Sequence, residues 1–347
     1  MVSSTADLVL EGGGVKGIGL VGAISVLEER GYSFNRVAGT SAGAIVGALV
    51  AAGYSSAELN EIMRKVDYEK FRDGNFLDKL GLFGEAMSVL FEQGIYKGDY
   101  LKQWLGEQLT EKKITTFSDL KLLDPNSSLP PSEQYKLVVM TSDISNGCLR
   151  RLPWECDDFG APADDTAVVD AVRASMSIPF FYAPLKRKDK NGEETWFVDG
   201  GMLSNFPIDV FDRTDGKPPR WPTFGIKLSA HADALQGVAN KISGTLTLAE
   251  AMISTMTGFY DRMHIDNPAV VARTIFVDTM KVRATDFGLD AKTQQQLYDN
   301  GRNAAENFLD GTPESPAWDW NTWLQKYGSP PGAESRPMNA PPPVAAT

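Results

Sequence analysis

The first fifty residues alternate short apolar runs with segments of helical periodicity. Leu8-Val9-Leu10 is an apolar run typical of a buried strand. The stretch from Leu20 to Arg30 then places Val21, Ile24 and Leu27 at three-residue spacing, which predicts a helix with one apolar face. The first fifty residues therefore begin with a strand followed by a helix.

The same order repeats directly afterwards. Arg36-Val37-Ala38 ends a second short strand with two apolar residues, and residues 44–52 are small and apolar, as in a helix packed closely on its neighbours. Strands that alternate with helices predict an α/β fold with a mostly parallel sheet and ligand sites at the carboxyl ends of its strands. Later strands are predicted at residues 136–140, 195–199, 223–228 and 273–277.

A Gly-x-Ser-x-Gly motif lies between the second strand and its helix. It reads Gly39-Thr40-Ser41-Ala42-Gly43, and this strand-turn-helix context raises a serine on a sharp turn where it can act as a nucleophile. Glycine on either side lets backbone segments approach too closely for side chains. The following helix directs its N–H groups and positive dipole end at Ser41, which favours negative charge there.

A glycine-rich loop follows the first strand. The loop comprises Gly12, Gly13, Gly14, Val15, Lys16 and Gly17, and a helix begins directly after it. Several backbone N–H groups at a helix start suit an anion, either a bound phosphate or the oxyanion that forms when Ser41 attacks an ester.

A dinucleotide site is the main competing interpretation of this loop. Gly12-x-Gly14-x-x-Gly17 satisfies the spacing of the dinucleotide-binding fingerprint and lies between a strand and a helix. That fingerprint also needs an acidic residue at the end of the second strand, to bind a ribose. Here the second strand ends in the serine turn, which argues against nucleotide binding.

The residues that follow the 195–199 strand offer a base for Ser41. Asp199-Gly200-Gly201 places an aspartate at the carboxyl end of an apolar strand, where it could form a two-residue Ser–Asp unit, although Asp-Gly is also common in ordinary turns. An aspartate needs desolvation to be an effective base. The two histidines, His231 and His264, allow a Ser-Asp-His alternative, which we consider weaker because Ser41 comes too early for an ordinary α/β-hydrolase.

Taken together, these motifs resemble the signature blocks of the patatin-like phospholipases of the bacterial type. The three blocks are residues 11–17, 39–43 and 199–201, in that order, and a fourth, Ala174-Ser175-x-x-x-Pro179, precedes the aspartate. The resemblance covers about residues 5 to 310. It implies a three-layer α/β/α fold and a lipid acyl hydrolase with Ser41 as nucleophile, Asp199 as base and the Gly12–Gly17 loop as oxyanion hole. It also implies calcium-independent chemistry, and we expect neither a metal nor a cofactor.

The spread of these blocks predicts one domain over residues 1–328, because they must converge on one site. Residues 55–122 interrupt the strand–helix alternation and predict an inserted helical cap, whose aromatic-rich stretch from Phe76 to Phe91 is either core or an interfacial segment. Residues 329–347 are rich in proline and alanine, which predicts a disordered tail.

The net charge limits the kinds of binding partner that we expect, and the two cysteines bear on the cellular compartment. A net charge of −11 and a pI near 4.8 argue against nucleic acid and against general attraction to anionic membranes, so any membrane-surface contact would be local and transient. No signal peptide or transmembrane stretch is apparent, so we expect a cytoplasmic protein with Cys148 and Cys156 reduced.

The sequence thus favours hydrolysis of phospholipids or lysophospholipids. An acyltransferase or a thioesterase could use the same site, and a nucleotide-binding protein or a catalytically silent lipid-binding protein are alternatives of a different class. The intact Ser41, Asp199 and glycine loop argue against a silent protein.

Overall fold

Eight strands form a single sheet in the computed structural model, which describes residues 4–71, 96–229, 251–252, 255–256, 267–280 and 282–328. The strands are β1 (Ser4–Leu10), β2 (Tyr32–Thr40), β3 (Leu137–Asp143), β4 (Cys148–Leu152), β5 (Leu185–Lys188), β6 (Glu194–Asp199), β7 (Thr223–Lys227) and β8 (Thr274–Phe276).

The centre of the sheet is parallel and one end is antiparallel. The strand order is β5-β6-β3-β2-β1-β7-β8, with β4 also paired to β3. Strands β3, β2, β1, β7 and β8 run parallel to one another, whereas β4, β5 and β6 pair in antiparallel fashion. The predicted α/β class with a mostly parallel sheet is confirmed.

Helices connect these strands. They are α1 (Ile18–Glu29), α2 (Ala42–Ala51), α3 (Ser56–Lys65), α4 (Asp99–Glu111), α5 (Val168–Ser175), α6 (Pro268–Val271), α7 (Ala291–Asp310) and α8 (Trp320–Tyr327). The helices predicted over residues 20–30 and 44–52 correspond to α1 and α2. Among the described residues, none of the helices is long and apolar enough to cross a membrane.

The two faces of the sheet bury different partners because side chains alternate along each strand. Leu8 and Leu10 of β1 belong to the main core, together with residues of α1 to α5 and α7. Val9 faces the other side, where Phe206 and Phe211 and a residue of α6 cover the sheet. The sheet is therefore covered on both faces.

The turn between β5 and β6 corrects one sequence expectation. Asn191-Gly192 predicts a two-residue hairpin loop, but five residues, 189–193, separate the strands. The Asp189 carboxylate accepts the amides of Asn191 and Glu193, and this extra turn lengthens the loop. The basic residues before this turn form strand β5, where the exposed Lys186 and Arg187 pair with Glu194 and Asp170.

The described flanks of the predicted cap pack into the main core. Leu59 and Met63 of α3 and Leu101 and Leu105 of α4 are buried there. Residues 72–95, which contain the Phe76–Phe91 stretch, lie outside the described residues, as does the 329–347 tail. The cap and the tail therefore stay predictions.

Candidate active site

Ser41 occupies a sharp turn between β2 and α2. Its backbone has φ 52° and ψ −122°, a conformation that costs energy for a residue with a side chain. A Cβ atom on Gly39 would lie 2.3 Å from the Gly43 carbonyl oxygen, and one on Gly43 would lie 2.3 Å from the Leu10 carbonyl oxygen. The glycines on either side of Ser41 are thus required by close backbone approach.

The Ser41 backbone is held at both ends. Its carbonyl oxygen accepts the N–H groups of Ala44 and Ile45 in the first turn of α2. Its own N–H donates to Ser175 Oγ at 2.9 Å, at the carboxyl end of α5. The predicted Ala174-Ser175 block therefore contacts the serine directly, and this accounts for the small polar side chain at residue 175.

Strand register brings Asp199 to the same place. Thr40, the last residue of β2, lies opposite Met140 of β3. Asp199, the last residue of β6, lies opposite Thr141, the next residue of β3. The ends of β2 and β6 therefore meet at successive residues of one strand, and Ser41 and Asp199 become neighbours although 158 positions separate them in the chain.

The Asp199 carboxylate is buried with one oxygen bonded and one oxygen open. Oδ1 accepts the Gly201 N–H at 2.7 Å, whereas the buried Oδ2 has no hydrogen-bond partner among the described residues. Burial raises the pKa of Asp199 to about 6, and the neighbouring Ser41 hydroxyl and the Gly201 amide limit that rise. Ser41 Oγ itself donates to Met176 Sδ at 3.4 Å.

The glycine loop lies beside Ser41. A Cβ atom on Gly12 would come within 3.1 Å of Ser41 Cβ. Three amides of the loop are already used: Gly12 donates to Asn205 O, Val15 to Ala284 O and Lys16 to Gly13 O. Within the described residues, the structure gives neither the Gly13 nor the Gly14 amide an acceptor.

Gly14 seats this loop against the segment that precedes α7. Its φ of +56° lies in the left-handed region, and a Cβ atom there would be 2.0 Å from the Ala284 carbonyl oxygen. By contrast, the nearest atom to a Cβ on Gly17 would be Ala42 Cβ, at an ordinary 3.5 Å. The loop therefore needs glycine at residue 14 for steric reasons that do not apply at residue 17.

A buried ion pair under the loop was not anticipated from the sequence. The Glu11 carboxylate, at the end of β1, pairs with Lys227 and accepts the Leu228 N–H. Both charged side chains are buried. Lys16 Nζ donates to the Leu228 carbonyl oxygen at 3.4 Å, so the loop and the end of β7 are connected twice. A lysine in an otherwise apolar strand was the available sequence signal.

Asn205 was also not predicted as a site residue from the sequence, although it follows Asp199 by only six residues. Its Nδ2 donates to Glu11 Oε1 at 3.3 Å and to the Gly12 carbonyl oxygen at 3.1 Å. Nothing in the sequence distinguishes it from an ordinary turn asparagine.

The structure thus brings together Ser41, Asp199 and the loop of residues 12–17, with Gly39, Gly43, Gly200 and Gly201 as supporting glycines. Gly200 is required by packing, because a Cβ atom there would lie 2.3 Å from the Met140 carbonyl oxygen. The competing bases, His231 and His264, lie outside the described residues.

The chain is similar to a known protein family and to several known proteins. The family model described as Patatin-like phospholipase matches residues 8–212. The uncharacterized protein YqhO of Bacillus subtilis is 37% identical over 303 residues, which cover 87% of this chain and 97% of YqhO. A probable lipid hydrolase, 463L of invertebrate iridescent virus 6, is 25% identical over 208 residues, or 58% of this chain and 62% of its own.

Solved structures include a similar chain. VipD from Legionella pneumophila aligns with a TM-score of 0.49 and 18% identity, covering 88% of this chain and 66% of VipD. The family model spans more than half of the chain and includes all the signature blocks. This match supports the interpretation of the chain as a lipid ester hydrolase. The chain belongs to the patatin-like phospholipase family.

Proposed function

We propose that this protein hydrolyses fatty-acyl esters of phospholipids or lysophospholipids through a Ser41–Asp199 dyad. One observation carries the proposal: a strained serine and a buried carboxylate with one open oxygen meet at adjoining strand ends. Both side chains are almost completely buried, which fits a reaction protected from bulk water.

In acylation, the Ser41 O–H turns from Met176 Sδ toward the open Oδ2 of Asp199. Asp199 then takes the hydroxyl proton while Ser41 Oγ bonds to the ester carbonyl carbon. When the tetrahedral intermediate collapses, the bond to the leaving alkoxide breaks and Asp199 returns the proton to that oxygen. The products of this step are a free alcohol and an acyl-serine.

Deacylation repeats the cycle with water. Asp199 takes a proton from a water molecule as its oxygen attacks the acyl carbon. The bond to Ser41 Oγ then breaks, and the proton returns to that oxygen. A fatty acid leaves and the free enzyme is restored. A base with a pKa of about 6 suits this task, because it is mostly ionised at neutral pH yet more basic than an exposed aspartate.

The negative charge on the carbonyl oxygen needs donors, and the loop supplies two. The amides of Gly13 and Gly14 have no acceptor among the described residues, unlike those of Gly12, Val15 and Lys16. We therefore assign the oxyanion hole to the Gly13 and Gly14 amides, assisted by the amino end of α2. One such donor is worth about 3 to 4 kcal/mol of transition-state stabilisation.

The test is release of free fatty acid from mixed phosphatidylcholine and lysophosphatidylcholine vesicles. We expect release by the wild type, and a loss of at least about 1,000-fold in Ser41→Ala and in Asp199→Ala. Ser33→Ala is the matched control, because Ser33 is exposed at the opposite end of the same strand. It should retain wild-type activity.

Each alternative has its own outcome. Acyl transfer to added glycerol in preference to water would identify a transferase, and hydrolysis of an acyl thioester in preference to the phospholipids would identify a thioesterase. Lipid binding without any release would indicate a silent lipid-binding protein, and a thermal shift with dinucleotides alone would revive the nucleotide interpretation. Activity that survives in either dyad variant would overturn the mechanism.

A further inference from the structure

Asn205 lies between the two halves of the candidate active site. We propose that Asn205 is a positioning residue that fixes the direction of the Gly12–Gly13 peptide and thereby directs the Gly13 N–H into the oxyanion hole. This inference rests on the proposed function and deepens it, since it assigns a role to a side chain outside the dyad and the glycine loop.

Asn205 forms hydrogen bonds with both polar groups of the Gly12 backbone, the N–H and the carbonyl oxygen. The Gly12 N–H donates to the backbone carbonyl oxygen of Asn205 at 3.2 Å. In the other direction, Asn205 Nδ2 donates to the Gly12 carbonyl oxygen at 3.1 Å. The asparagine side chain also packs on this glycine, since a Cβ atom on Gly12 would lie 2.2 Å from Asn205 Oδ1. Only glycine at residue 12 admits the contact.

Because the peptide unit is planar, the hydrogen bond to the Gly12 carbonyl oxygen also fixes the direction of the Gly13 N–H. In a trans peptide the carbonyl oxygen and the next N–H point in opposite directions. The Gly12 carbonyl oxygen and the Gly13 N–H belong to the same peptide unit. Because Asn205 holds that carbonyl on its own side, the Gly13 N–H points away from Asn205, and within the described residues it has no acceptor.

The orientation of the Asn205 amide is itself determined by its neighbours. The atom that faces Gly12 O also faces Glu11 Oε1 at 3.3 Å, and both are acceptors. A side-chain oxygen there would meet two other oxygens, so that atom must be nitrogen. Lys227 in turn pairs with the same Glu11 carboxylate, which keeps the acceptor in place.

The same side chain also touches the turn that holds the base. A Cβ atom on Gly201 would lie 2.8 Å from Asn205 Oδ1, and the Gly201 N–H donates to Asp199 Oδ1. Asn205 therefore packs between the oxyanion loop and the Asp199 turn. Since glycine tolerates both peptide orientations, the loop sequence alone does not choose between them. Without Nδ2, a rotated peptide would present the Gly12 carbonyl oxygen to the developing oxyanion and repel it.

The experiment compares Asn205→Ala and Asn205→Asp with the wild type on p-nitrophenyl butyrate. The aspartate variant keeps the side-chain volume but loses the N–H donor and adds a carboxylate beside Glu11. We expect kcat to fall about 100-fold in both variants, the effect of losing one oxyanion-hole donor, with KM changed less than threefold. Gln134→Ala is the matched control: it removes another amide-to-carbonyl hydrogen bond, from Gln134 Nε2 to Leu129 O, and should leave kcat unchanged.

A second readout separates positioning from general loosening of the fold. An alkyl trifluoromethyl ketone forms a hemiketal with Ser41 whose oxyanion occupies the hole, so its Ki should rise in proportion to the loss of kcat/KM. Unchanged kcat in both folded variants would overturn the proposal, as would a fall in kcat without weaker inhibition. An inactive wild type would instead refute the proposed function, and the two failures are therefore distinguishable.

Discussion

The proposed chemistry depends on the ionisation of Asp199, and burial raises the pKa of this residue into a pH range where activity can be measured. Desolvation raises its pKa from 3.8 to about 6 because a buried carboxylate loses the hydration of its charged form. Only the ionised form can accept the Ser41 proton. We expect log(kcat/KM) on p-nitrophenyl butyrate to fall with unit slope below about pH 6 and to be level from pH 7 to 8. An acid limb centred near pH 4 would contradict the raised pKa of Asp199.

The same pKa can be checked without catalysis. Between pH 3.8 and about 6 the folded state binds more protons at Asp199 than the unfolded state does, so this residue makes stability fall as pH rises through that window. Above pH 6 the full cost is present, about 3 kcal/mol for a shift of about two units. Asp199→Asn removes the charge, so its Tm should exceed that of the wild type at pH 8, and the difference should nearly vanish at pH 4. Equal Tm values at both pH values would contradict the shift.

At the level of secondary structure elements, the sequence predicted six of the eight described strands and the helices α1 and α2, because local pattern and burial agree there. β1 and β2 are apolar at the end that approaches the site, and α2 is built almost wholly of small apolar residues buried in the core. The loop of residues 189–193 differed from the expected two-residue turn because its geometry depends on Asp189 side-chain hydrogen bonds, which have no periodic pattern.

The site residues that lie in glycine motifs could be predicted, because glycine spacing indicates the backbone geometry. The site residues that are placed by contacts between distant parts of the chain could not. Ser41 and Asp199 follow from motifs at strand ends. Asn205 and the Glu11–Lys227 pair depend on contacts across about 200 residues of chain, which single-sequence spacing does not encode.

The glycine loop yields a prediction that distinguishes its members. Gly14→Ala should lower kcat/KM at least 100-fold, because its φ of +56° and the 2.0 Å approach to Ala284 O force the loop to move. Gly17→Ala should stay within about threefold of the wild type, since Gly17 has φ −54° and its neighbours are at ordinary contact distance. Kinetics on p-nitrophenyl butyrate, with circular dichroism to check folding, measure both. Equal losses at the two positions would contradict the assignment of the Gly13 and Gly14 amides as donors.

Across the whole molecule, the candidate site and the carboxyl-terminal helices use different parts of the sheet. The site gathers at the carboxyl ends of β1, β2 and β6. An aromatic cluster instead holds the final helices: Phe224 of β7 packs edge-on against Phe308 of α7 and against Trp318, with ring centroids 5.9 and 5.3 Å apart. Stability and activity should therefore respond to different substitutions.

Trp323 provides the test of that separation. It is 9% exposed in α8, its Nε1 donates to Ala269 O at 3.2 Å, and its ring lies over Arg273 just before β8. Trp323→Ala should cost about 3 to 5 kcal/mol of unfolding free energy, as large-to-small core substitutions do. We expect kcat/KM per folded molecule at 20 °C to stay unchanged. Trp320→Ala, which removes the more exposed partner of the same stacked pair, is the control and should lower Tm less. A loss of kcat/KM in folded Trp323→Ala protein would mean that the carboxyl-terminal helix is coupled to the Ser41 site through the sheet, since no described contact of Trp323 reaches Ser41 or Asp199 directly.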